Sequence, residues 1–239
     1  MFGSTVYLSQ YFQLARGMSP TEAGLMSIAM VSGLLVSSIV SGRRISASGR
    51  WKRFLVSGMV LVIAGLSLLA SIDEATSLVL VGGYMAVLGL GLGATMQNLV
   101  LSVQNNTAQS DLGAASSVVA FFRSMGGSVG VSALGAVLSH QVADSVAEGL
   151  ARMGLPASAA GESHAIPDLA ELPAPIRALF EQAFGEATGH LFLVAVPFAV
   201  LAFGCVLLIR EVPLRTTVLR ADELPAETAA AGQVSPVRS

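Results

Sequence analysis

One cation stands deep inside a long apolar run. Arg123 is the one Asp, Glu, Lys or Arg residue in the interior of any apolar run of this chain, here residues 114–142. A guanidinium never loses its charge, so at this depth it must face protein interior or a water-filled cavity. Gln97 and Asn98 lie in the preceding run. Counted from the shared end of the two runs, they sit about 7 residues in and Arg123 about 10, or ~10–15 Å at 1.5 Å per residue. Similar depth predicts a polar cluster of Arg123 with Gln97 or Asn98. Two roles fit such a cluster: a structural tie between helices, or coupling to a substrate or a proton. Tyr7, Gln10 and Leu14 form a second candidate, since i, i+3, i+7 spacing places them on one helical face. An aromatic ring and an amide on one face suit a cavity for large, partly aromatic compounds. The same face could equally pack against a neighbouring part of a larger protein. His140 and His190 fall at run boundaries and read as solvated. No Ser/His/Asp or metal-ligand constellation is present, and Cys205 is the lone cysteine. An enzyme or signalling subunit would need polar clusters within the runs, and these hold only Arg123 and amides. A catalytic role is not expected, nor is a cofactor or metal.

The elements that carry these residues follow from composition. Hydrophobic residues make up 53% of the 239 and charged residues only 12%, with mean hydropathy +0.71. A water-soluble domain carries about 25% charged residues. The apolar residues come in blocks of about 20, enough to cross a ~30 Å hydrocarbon core as helix. An all-α membrane protein surrounded by lipid is therefore expected, with spans at about 1–15, 23–42, 54–72, 78–104, 114–142 and 191–209. A net charge of -2 without basic bias argues against nucleic acid as a partner. Gly89-x3-Gly93 and Gly126-x3-Gly130 have the spacing of close helix packing sites. The first run would be only ~22 Å long. It is expected to be a truncated helix, the chain beginning inside it.

Orientation rests on the cluster Arg43, Arg44, Arg50, Lys52 and Arg53, which holds five of the thirteen Lys and Arg residues. Such residues concentrate in cytoplasmic loops, which puts the connection between the second and third spans inside. Alternation then puts residues 143–189 outside. That stretch is acidic and contains an amphipathic segment in which Ile176, Leu179, Phe180 and Ala183 share a face. A short helix lying at the outer interface is predicted there. Residues 211–239, rich in Ala, Pro, Glu and Ser, are expected to form a disordered cytoplasmic tail.

The loop itself reads Gly42-x6-Gly49-Arg50-x-Lys52-Arg53. It resembles the signature loop of the major facilitator superfamily, with Ser46 near the position of the usual acid. Glycines there permit tight turns, and basic side chains can anchor at headgroups or bond helix C-terminal carbonyls. Further stretches are similar to the second half of 14-span drug:proton antiporters. They are Tyr7-Leu8-Ser9-Gln10-Tyr11-Phe12-Gln13, Gly17-Met18-Ser19-Pro20, Gly89-Leu90-Gly91-Leu92-Gly93, and Phe121-Phe122-Arg123-Ser124-Met125-Gly126-Gly127. The resemblance covers residues 1–210. It implies a six-helix half-bundle of the major facilitator fold in the cell membrane. It implies a multidrug efflux permease that exports small amphipathic molecules by alternating access, driven by the proton motive force. The amino-terminal half of such a transporter, with its acidic proton carriers, would be the missing partner. An inactive or split fragment requiring a separately encoded half is the alternative.

Overall fold

The computed structural model describes residues 2–107, 109–154 and 173–209, and every regular element among them is helical. Helix α1 (Phe2–Gln10) widens into a π turn (Tyr11–Ala15). It is followed by α2 (Pro20–Ser48), α3 (Lys52–Leu69), α4 (Leu78–Asn106), α5 (Leu112–Arg152) and α6 (Ala174–Leu208). Five of these, α2 to α6, are long and apolar enough to cross a membrane. The chain is an all-α, multi-pass membrane fold, with six α-helices among the described residues.

Helix α2 starts where local chemistry dictates. The Ser19 hydroxyl accepts from the Glu22 amide at 3.3 Å, and the Glu22 carboxylate accepts from the Ser19 amide at 2.8 Å. Pro20 at the first helical position completes this capping box. Ser19→Ala removes one side of it and should destabilise the helix start by about 1 kcal/mol, read as earlier amide hydrogen exchange in the first turn of α2. At its other end α2 runs through Ser48, past the predicted stop at Gly42. Arg43 and Arg44 are therefore exposed residues of its last turns and not part of a loop. The stop is Gly49, whose φ of 68° is open to glycine at little cost and whose amide bonds the Ile45 carbonyl at 2.8 Å.

Helix α4 is the spine of the bundle because its glycines bring two neighbours to backbone contact. A Cβ at Gly89 would lie 2.1 Å from the Met30 carbonyl oxygen, and one at Gly93 would lie 2.3 Å from that of Leu34. These two pack α4 on α2, while Gly91, 2.5 Å from the Val62 amide by the same measure, packs it on α3. Around this spine Leu8, Tyr11, Phe12, Leu69, Met85 and Phe192 form one buried core. The outer face of α2 stays apolar and uncovered at Leu25, Ile28, Leu35 and Ile39, as lipid contact requires.

The region between the last two spans departs from expectation. Helix α5 does not end near 142 but continues to Arg152, and α6 begins at Ala174 rather than 191. The amphipathic segment is thus the first part of α6 and not a separate interfacial helix. Its apolar face was read as the partner of a membrane surface, yet it packs on protein. Ile176, Phe180 and Ala183 are buried in the core, and Leu179 fills the space beside Gly149 of α5. The expected tail at 211–239 lies outside the described residues, as does the stretch 155–172.

Candidate functional site

Arg123 stands where two clefts meet. The larger, of about 340 Å³, is bounded by Phe2 of α1, Met96 of α4, Gly126 and Gly130 of α5, and Leu191 of α6. The smaller, of about 180 Å³, runs between α4 and α5 past Val100, Gln104, Ser116 and Ala120. Arg123 lines both. Its side chain is exposed, and it has no hydrogen-bond or ion-pair partner among the described residues.

The predicted cluster with Gln97 or Asn98 does not form. Gln97 is exposed and lines neither cleft. Asn98 is 1% exposed, and its amide donates back to the Ala94 carbonyl of its own helix. Direction around the helix axis decided the outcome. The α4 residues bordering Arg123's clefts are Met96, Val100, Val103 and Gln104, an i, i+4, i+7, i+8 stripe that turns Gln97 and Asn98 elsewhere. Gln104 is the amide that the stripe places beside Arg123's smaller cleft, and this helical spacing was the signal that could have found it.

Tyr7 and Gln10 do not line the clefts either. Tyr7 is buried, its hydroxyl donates to the Val131 carbonyl of α5, and Gly135 leaves the room it occupies. Leu14 packs against the core. That face of α1 therefore ties helices of this chain together. The two glycine pairs also divide. Gly89 and Gly93 hold α2, whereas a Cβ at Gly126 or Gly130 would meet nothing within 4 Å. Gly126 and Gly130 are the wall of the larger cleft and not a packing site among the described residues.

The basic loop is anchored by a residue the charge pattern hides. Trp51 is fully buried, packed with Ile45, Leu55 and Val206. Beside it the Lys52 ammonium donates to the Leu207 carbonyl at 3.0 Å, at the C-terminal end of α6, where cations are favoured. Arg50 and Arg53 are exposed, as is Ser46, and Gly42 touches nothing that a Cβ would meet. At the opposite end of the bundle, the loop between α3 and α4 sits on α6 where Gly185 and Gly189 admit its backbone. The Tyr11 hydroxyl donates to the Asp73 carbonyl at 2.6 Å, and Arg16 bonds the Glu74 carbonyl. The Thr76 hydroxyl, bonded to the Asp73 carboxylate, holds that carboxyl below its ordinary pKa range.

No family model matches the chain. Individual relatives do. Over 94% of its length it is 37% identical to an uncharacterised MFS-type transporter of Mycobacterium tuberculosis (strain H37Rv). Over 58% of its length it is 33% identical to a multidrug transporter of Bacillus subtilis (strain 168). Over another 58% match it is 30% identical to a tetracycline resistance determinant of Streptomyces rimosus. The chain is a homologue of major facilitator superfamily transporters. It spans about a third of the mycobacterial relative's length, 32%. The apolar helices and the glycine-sided α4 supply the scaffold, and the Arg123 clefts are the polar break in it.

Proposed function

We propose that this chain is the carboxyl-terminal six-helix half of an efflux transporter that exports small amphipathic molecules across the cell membrane. In this reading it works with an amino-terminal half by alternating access, and the proton motive force drives export. The observation that carries it is the larger cleft: apolar walls from five helices around one cation without a partner among the described residues. Apolar walls with few polar groups are what an amphipathic compound needs, while a reaction centre would need converging acid–base or nucleophilic groups. The multidrug transport named for the Bacillus relative and the tetracycline resistance named for the Streptomyces relative support the same class of cargo.

Ethidium accumulation in cells tests the proposal. Cells expressing this chain together with the amino-terminal half should accumulate less ethidium than vector controls, and a protonophore should abolish the difference. Unchanged accumulation with both halves present would overturn the efflux reading. Export from this chain alone would overturn the need for a partner half.

A further inference from the structure

The geometry points to Arg123 as a carboxylate-binding site, seating one singly charged carboxylate at the junction of the two clefts. The inference rests on the transporter reading and gives the cleft a ligand chemistry. Arg123 has no partner among the described residues. Asp111, the nearest acid along α5, lies 12 residues away, about 18 Å along the axis. The amide of Asn98 is spent on its own helix. An unneutralised guanidinium in an apolar span is costly, so a fixed place for an anion there relieves a standing penalty. The planar fork of Arg matches a carboxylate with two parallel hydrogen bonds.

The surroundings select among anions. The larger cleft offers Phe2, Leu66, Met96, Leu191 and Phe192, with Arg123 as its one charged group. A doubly charged phosphate would keep one charge uncompensated against those walls. A carboxylate on an apolar body is matched in both parts. Two sources supply this chemistry: the transported compound, or an acidic side chain elsewhere in the assembled transporter.

The test uses the assembled transporter containing this chain, in lipid nanodiscs, with 1-naphthaleneacetate and its methyl ester as probes. If the compound supplies the carboxylate, wild type binds the acid roughly tenfold or more tightly than the ester. Arg123→Gln then loses that preference while binding the ester as before. Arg123→Lys, the variant to read should the Gln protein not assemble, keeps the acid preference only in part. If an acidic side chain occupies the site, wild type shows no acid preference. Its partnered carboxylate resists dicyclohexylcarbodiimide, and Arg123→Gln lets that carboxyl protonate and become labelled, mapped by peptide mass spectrometry. Equal loss of acid and ester binding in the variants overturns the inference. So does ester binding with neither an acid preference nor new labelling, which leaves the transporter reading standing. Failure of wild type to bind even the ester overturns both.

Discussion

Gly89→Ala is expected to destabilise the bundle by about 3 kcal/mol. The added Cβ would lie 2.1 Å from the Met30 carbonyl oxygen and 2.9 Å from its carbon. Neither atom belongs to a flexible side chain that could swing aside. Both are backbone of α2, locked in the helix, so relief requires α2 and α4 to separate. Separation would also loosen the nearby contacts at Gly93 and at Gly33, where a Cβ would lie 2.5 Å from the Ala86 carbonyl oxygen. In a membrane, where lipid is as apolar as a helix, close van der Waals fit is the main force holding helices together. Gly126→Ala is the matched control. It has the same residue type and the same glycine spacing, but its Cβ would meet nothing within 4 Å. Its effect should stay within about 0.5 kcal/mol. Reversible unfolding in mixed micelles, followed by helical circular dichroism, measures both. Equal losses at the two positions would show that glycine spacing alone, not this contact, sets stability.

The contrast between those glycines marks what the sequence could disclose. Gly-x3-Gly spacing puts two glycines on one side of a helix, but it carries no information about what lies opposite. Membrane spans were legible because hydropathy and length are properties of a single segment, and α3 and α4 fall close to their predicted limits. Ends were less legible where tertiary contact overrode composition. The acidic, proline-bearing stretch after residue 142 looks like loop, but Val142, Val146 and Leu150 are buried against α6 and keep α5 helical to Arg152. Arg123 was found because its cost is local. Its surroundings were not, because spacing along α4 did not disclose that Gln97 and Asn98 turn away from its clefts. Trp51 stayed hidden for a similar reason: its neighbours along the chain, Arg50, Lys52 and Arg53, are charged and say nothing of what packs on it. It is buried where residues of several helices, Val206 of α6 among them, meet at that end of the bundle.

Trp51→Ala is therefore the second substitution expected to have a large effect, about 3 kcal/mol of lost stability. The indole is fully buried in a cluster with Ile45 at the end of α2, Leu55 in α3 and Val206 near the end of α6. Removing it empties the joint between three helices, and the chain cannot close the gap without moving a helix end. Lys52→Met should cost less, about 0.5–1 kcal/mol, since it deletes one charge-assisted bond to the Leu207 carbonyl at a partly solvated helix terminus. Arg50→Ala, on an exposed side chain, should stay within about 0.5 kcal/mol. The order separates two accounts of this loop. If basic side chains held it at the membrane surface, Arg50, Lys52 and Arg53 would dominate and Trp51 would be dispensable. If the indole holds it, the ranking runs Trp51, then Lys52, then Arg50, and added salt changes it little because burial is not screened. The same micelle unfolding measurement, run at low and high salt, decides between them. A Trp51-first order means that the turn between α2 and α3 is bolted to α6, so the three helix ends move as one piece.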